Sequence, residues 1–166
     1  MKKLSQRIFL ILATALMVTS SLSTLAIFKA PVTQGGALAD YQLSSTSLVQ
    51  AGVDTPISNA PWALMVLAVV IAMVSLFTLL LTFYQNYELQ KRSTLFNTIV
   101  TVGYLITYGG YFLYYQHALD AISSSLTWWG VAAPVVTLIL LGMTLNSIRR
   151  TEAAVLREAN SFRFRD

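Results

Sequence analysis

Cysteine is absent from this chain of 166 residues. Disulfides, thiolate metal sites and cysteine nucleophiles are therefore excluded, and redox chemistry says nothing about the compartment. Charge is scarce too. Charged residues make up 11% and hydrophobic residues 55%, with a mean hydropathy of +0.63, whereas soluble domains carry about a quarter charged residues. A chain so composed cannot dress a surface in water. The single histidine, His117, cannot by itself supply two axial haem ligands or a metal site, and no cofactor is expected.

Long stretches lack ionisable groups altogether. Residues 8–28, 62–84, 95–115 and 126–148 contain no Asp, Glu, Lys, Arg or His. Ion-coupled transporters and proton relays place such groups at depth, so coupling has no visible carrier here. No catalytic constellation appears, and the expectation is a non-enzyme. The one hydrolytic arrangement the spacing offers is a dyad of His117 and Asp120 with Ser123, Ser124 or Ser125 as nucleophile; ordinary interfacial polar residues account for the same positions.

What is present is membrane length. Each block holds roughly 20 residues, and at about 1.5 Å per residue that crosses a hydrocarbon core of about 30 Å. The expected fold is an all-α membrane protein, a single domain over residues 1–166. Four transmembrane helices form an antiparallel bundle, with an extracytoplasmic loop (29–60) and a helical tail (149–166). On one side lie Lys2, Lys3, Arg7, Lys91, Arg92, Arg149, Arg150, Arg157, Arg163 and Arg165; the other side holds only Lys29. This asymmetry predicts both termini in the cytoplasm. It also puts Trp62, Trp128 and Trp129 at the opposite surface, where indoles anchor. The net charge of +4 then serves anionic headgroups at the cytoplasmic face, and nucleic acid is not an expected partner.

The first block has a competing reading. A basic start, an apolar centre and Thr24-Leu25-Ala26 also fit a cleaved secretory signal. The apolar run continues through Phe28 to a full spanning length, which favours retention.

Between the spans, loop 29–60 carries Gly35-Gly36, Pro31 and Pro56, with weak alternation over residues 40–50. It reads as a short hairpin or an irregular cap. The connection 117–125 is too short for a domain. Residues 85–93 (QNYELQKRS) form a polar turn that makes spans 2 and 3 neighbours. Pro134 frees the carbonyl of Gly130 and predicts a kink in span 4. The tail lacks Pro and Gly and should continue span 4 as a helix, with Ile148, Val155, Ala159 and Phe162 on one face and a weak Arg149–Glu152 pair.

The third span is the unusual one. Residues 101–117 contain five of the eight tyrosines. Asn97, Thr101, Tyr104, Tyr108, Tyr111 and Tyr115 are spaced 4-3-4-3-4, which keeps them on one helix face. Weaker stripes run through Ser75, Thr78, Thr82 and Gln85, through Thr137, Thr144, Ser147 and Thr151, and through Thr14, Ser21 and Thr24. Hydroxyls avoid hydrocarbon, so the stripes should face one another. They are interhelical glue, or Asn97, Thr101, Tyr104, Tyr108 and Tyr111 line a cavity for a lipid, quinone-like or aromatic ligand.

Three landmarks carry a family resemblance: SQRIFLILA entering span 1, FYQNYELQKRSTLFNTIV between spans 2 and 3, and SIRRTEAAVLREA at the end of span 4. Together the chain resembles a family of small four-helix membrane proteins of the Bacteroidota, domain of unknown function 4293. Thr151 stands where that pattern has Asp, and the ending NSFRFRD departs from it. The resemblance implies a bacterial inner-membrane protein with no assigned activity. Its matching positions, Gln6, Arg7, Asn86, Leu89, Gln90, Arg149, Glu152 and Val155, fall on the cytoplasmic side. An interaction surface is expected there from Arg7, Glu88, Gln90, Arg149, Arg150 and Glu152, with Arg7, Glu88 and Glu152 as a charge network; simple topology determination by the basic residues explains them equally. The function expected is an accessory or scaffold subunit with a protein partner in the membrane. The alternative is a small transporter or hydrophobic-ligand binder.

Overall fold

The computed structural model describes residues 2–31, 38–53, 55–84 and 86–163, with side chains between residues 4 and 157. Gly35, Gly36, Asp54, Gln85, Arg165 and the side chains of Lys2, Lys3, Ala159, Phe162 and Arg163 lie outside the described residues. The elements run α1 (Lys2–Leu22), β1 (Ala26–Pro31), β2 (Leu38–Leu43), β3 (Leu48–Gln50), β4 (Pro56–Ser58), α2 (Trp62–Phe83), α3 (Tyr87–Ala118), β5 (Ser123–Leu126) and α4 (Trp128–Arg163). The chain is mostly helical, with a small antiparallel sheet.

Among the described residues, three helices are long and apolar enough to cross a membrane: Leu4–Leu22, Trp62–Phe83 and Trp128–Arg157. The 32 residues of α3 have the length, but not the average apolarity. Each helix packs on two others, α1 and α3 both contacting α2 and α4. That ring puts α1 and α3 at opposite corners.

The turn between α2 and α3 is short because Asn86 caps the new helix, its Oδ1 accepting from the Leu89 amide at 3.2 Å. Glu88 follows in the first turn, where the helix dipole favours an anion. The tail without helix breakers continues α4 to Arg163, and Pro134 sits inside that helix.

The first helix departs from expectation. It ends at Leu22, not at residue 28, and residues 26–28 start a strand. In β1 the side chains alternate, with Ala26, Phe28 and Ala30 buried and Lys29 and Pro31 exposed. Alternation of period two is hidden inside a run apolar at almost every position. The third helix contains the expected span and runs beyond it at both ends, from Tyr87 to Ala118, and α4 starts at Trp128, not at residue 126, because residues 123–126 are in β5.

Loop 29–60 is neither an irregular cap nor a lone hairpin. With the end of the α1 segment it supplies four strands, and the α3–α4 connection supplies a fifth, in the order β4-β3-β2-β1-β5, every pair antiparallel. One face of this sheet closes over the helix ends. Phe28 meets Phe112 of α3 with ring centroids 5.3 Å apart, and Tyr41, Leu43 and Leu48 are buried beside it. Met17, Leu64, Ile71, Tyr104 and Tyr108 continue that core into the helices. Leu25 and Ala26, where a signal cleavage would fall, are fully buried at this junction.

Candidate functional site

The interior of the helical layer carries a polar stripe among its apolar side chains, and the pattern of that stripe follows from α3. Gln90, Thr94, Asn97, Thr101, Tyr104, Tyr108 and Tyr115 are buried, and Tyr111 is half-buried. The opposite face exposes Leu95, Phe96, Ile99, Val102, Ile106 and Leu113. Ser75, Thr78 and Thr82 of α2 are also buried, as are Thr137, Thr144 and Thr151 of α4.

In α1 the expected stripe is one step out of phase. Thr14, Ser21 and Thr24 are only half-buried, and Thr14 and Ser21 bond the carbonyls of Leu10 and Val18 on their own helix. The buried face is Gln6, Leu10, Ala13, Met17 and Ser20. Burial of Leu10 and Met17 outweighs placing threonine inside, since a threonine can satisfy its hydroxyl locally.

That local satisfaction is general here. Thr78, Thr82, Thr94, Thr101, Thr137, Thr144 and Thr151 each donate to the carbonyl four residues earlier. Cross-helix bonds come chiefly from amides and tyrosines. Gln6 Nε2 donates to Ser147 Oγ at 3.2 Å and to Thr151 Oγ1 at 3.3 Å, tying α1 to α4. Gln90 Nε2 donates to the Leu81 carbonyl at 2.8 Å, one of the acceptors left free at the end of α2. Asn97 Nδ2 donates to Ser75 Oγ at 2.7 Å, and Thr78 shares a bond with Ser93. Tyr108 donates to the Leu25 carbonyl at 2.8 Å, fixing the corner where α1 becomes β1.

The expected ligand stripe therefore divides. Asn97, Thr101, Tyr104 and Tyr108 lie in packed core, and the Tyr104 hydroxyl is buried without a hydrogen-bond partner among the described residues. Four surface grooves lie around the helices, and neither Tyr104 nor Tyr108 lines any of these four. Tyr111 differs. It donates to the Ala60 carbonyl at 2.7 Å and borders a groove of about 450 Å³ with Thr107, Gly110 and Tyr114.

At the end opposite the sheet, Arg7, Glu88, Gln90 and Glu152, of the residues named for an interaction surface, each contact a residue outside that set, and Arg149 and Arg150 are exposed. Among the described residues no network links Arg7, Glu88 and Glu152. The Arg7 guanidinium lies over the Phe83 ring, 4.2 Å from its centroid. Glu88 pairs with Arg92 one turn along α3, and Glu152 pairs with Lys91 at 2.8 Å, joining α3 to α4 in place of the expected Arg149 contact. Helix phase explains this: Lys91 leans toward α4, whereas Arg149 is exposed. Besides that ion pair, the clamp at this end is made by two neutral glutamines, Gln6 and Gln90. Amides in apolar surroundings are the signal that marks them, since an unbonded amide there is costly.

A groove of about 510 Å³ opens beside the clamp, lined by Tyr84, Asn86, Tyr87, Glu88, Glu152, Val155 and Leu156. Tyr84 is 81% exposed, Leu156 60% and Val155 45%. A second groove, about 230 Å³, follows the α1–α4 seam past Arg150.

The hydrolytic arrangement does not assemble. His117 is exposed and meets Asp120 only through a backbone bond, from the Asp120 amide to the His117 carbonyl. Ser123, Ser124 and Ser125 are held in β5 against β1. Among the described residues no three His, Asp or Glu side chains gather to hold a metal.

A family model described as Domain of unknown function (DUF4293) matches residues 5–160, so the chain belongs to that family. No curated protein matches the chain.

Proposed function

The chain belongs to a family of unknown function, and from its own geometry we propose that the protein is a non-catalytic, four-span accessory or scaffold subunit of a bacterial inner-membrane assembly, with both termini in the cytoplasm. The fourth span is α3. Its average apolarity is lowered by the buried stripe, yet the side chains it turns outward, from Leu95 to Leu113, suit acyl chains. The basic residues collect at the end that carries Arg150, and Trp62 and Trp128 are exposed at the sheet end. Both distributions favour this orientation.

The observation that carries the accessory reading is the placement of exposed apolar residues. Ile106 and its neighbours face outward at membrane depth, where lipid covers them. Val155 and Leu156 lie five and six residues past Arg150, about 8 Å beyond it along the helix. With Tyr84 they flank a groove at the helix ends, and exposed apolar patches of this kind mark protein contacts. The occupant is an apolar segment of a membrane partner. Photo-crosslinkers placed at Tyr84, Leu156 and Ile106 in native membranes test this. Discrete protein adducts are expected at the first two positions and lipid adducts at Ile106. Indistinguishable products from all three would sink the reading.

Transport or hydrophobic-ligand handling is the second reading. Its support is the groove beside Tyr111, whose lining is largely apolar and lies near the sheet end.

A further inference from the structure

The two grooves at the arginine end differ in chemistry. That beside Glu88 and Glu152 contains carboxylates already neutralised by Arg92 and Lys91. The groove on the α1–α4 seam is lined by Ser5, Phe9, Met143, Asn146, Ser147 and Arg150, and carries a cation without a carboxylate. Arg150 and Asn146 are exposed, one turn apart on the same face of α4, and their side chains bond nothing among the described residues. An asparagine turned outward at the end of a spanning helix needs a polar neighbour, because acyl chains cannot satisfy its amide.

Depth orders these groups. Arg150 is outermost. Asn146, Ser147 and Ser5 come next, and Phe9 and Met143 lie one turn deeper than Ser5 and Asn146. Met143 is seven residues before Arg150, about 10 Å along the axis. A phospholipid presents the same order: a phosphate, then glycerol ester oxygens, then hydrocarbon. Guanidinium binds phosphate with paired, charge-assisted hydrogen bonds. The Asn146 amide and the Ser5 hydroxyl sit at ester level, and Phe9 with Met143 forms the floor for the first acyl carbons. We infer that the α1–α4 seam is a binding site for one anionic phospholipid, its phosphate on Arg150 and its ester region on Asn146 and Ser5. The lipid would lie beside the Gln6–Ser147 bond and fasten α1 to α4 from outside. This inference rests on the four-span reading, because a seam away from the headgroup layer would meet no lipid phosphate.

The test is native mass spectrometry of the full-length protein in detergent, with added phosphatidylglycerol, phosphatidylcholine or inorganic phosphate. One phosphatidylglycerol should remain per chain, and phosphatidylcholine, whose choline cation opposes Arg150, should be retained less. Arg150→Ala should reduce retention about fivefold, the effect of about one basic contact near a membrane, and Asn146→Leu should reduce it less. Arg157→Ala, two turns farther out, should leave it unchanged. Both seam variants alter exposed residues, and their melting temperatures verify folding. Equal losses from Arg157→Ala and Arg150→Ala, or equal retention of the two lipids, would overturn the site. Full displacement by millimolar inorganic phosphate would overturn the lipid as its source. Labelling of an engineered cysteine at the C-terminus reports topology separately: an outside C-terminus with retention intact defeats the orientation proposed above and leaves the site standing.

Discussion

The two ends of this molecule are closed by different means. At one end a five-stranded sheet lies across the helices, and its backbone ladder, Phe28 and the Tyr108–Leu25 bond lock strands to helices. At the other end, among the described residues, no strand intervenes. Gln6 and Gln90 bridge neighbouring helices, and grooves remain open between them. Backbone pairing fastens a whole ladder cooperatively, while single amide bonds fasten points. The difference lies in how the ends are fastened, not in open surface, since grooves lie at both ends, the one beside Tyr111 at the sheet end among them.

The strongest blow to this contrast should come from the sheet end. A Cβ on Gly130 would sit 2.6 Å from the Leu25 carbonyl oxygen and 2.8 Å from the Tyr108 hydroxyl. The backbone oxygen cannot move aside without disturbing β1, so Gly130→Val should cost about 3 kcal/mol, in the upper range for overpacking. Thermal unfolding in detergent would read this as a large drop, and an unshifted melting temperature would refute the tight junction.

The arginine end should respond less. Gln90→Leu leaves the Leu81 carbonyl without its side-chain donor and should cost about 1–2 kcal/mol, mainly through that lost partner. If Gln90→Leu proved as damaging as Gly130→Val, the distinction between rigid and fastened ends would collapse.

Two tyrosines one turn apart sharpen the comparison. Tyr108→Phe removes a bond to Leu25 and should cost about 0.6 kcal/mol, typical of interhelical hydrogen bonds in membranes. Tyr104→Phe removes a buried hydroxyl that has no hydrogen-bond partner among the described residues and should be neutral or slightly stabilising. Urea or SDS unfolding of the two single variants checks the sign; a larger loss for Tyr104→Phe would point to a bound water or ligand at that hydroxyl. Smallest of all is Arg92→Ala. Its pair with Glu88 is exposed and lies within one helix, so the melting temperature should barely move, the pair being worth about 0.5 kcal/mol or less.

Much of α3 is legible in the amino-acid order. Spacings of four and three residues put Asn97, Thr101, Tyr104 and Tyr108 on one face, and that face is the buried one. The α1 stripe misleads because Thr14 and Ser21 can satisfy themselves on their own helix, which removes the penalty that makes hydroxyls reliable markers. The sheet is concealed because Ala26-Ile27-Phe28 is apolar at every position, so neither helical nor strand period stands out. The expected charge network fails for a third reason. Charges near a helix end have several partners in reach, and phase decides among them, as Lys91 takes Glu152 and Arg92 takes Glu88.

What the amino-acid order alone determined is therefore what local periodicity and the cost of charge in hydrocarbon control: apolar helices, an inward polar face on α3, and arginines gathered at one end. Tertiary structure alone decided where α1 stops, which strands join, and that Gln6 closes onto Ser147, 141 positions away. Such partners are selected by which surfaces meet once the helices have packed, and no spacing within a single segment encodes that meeting.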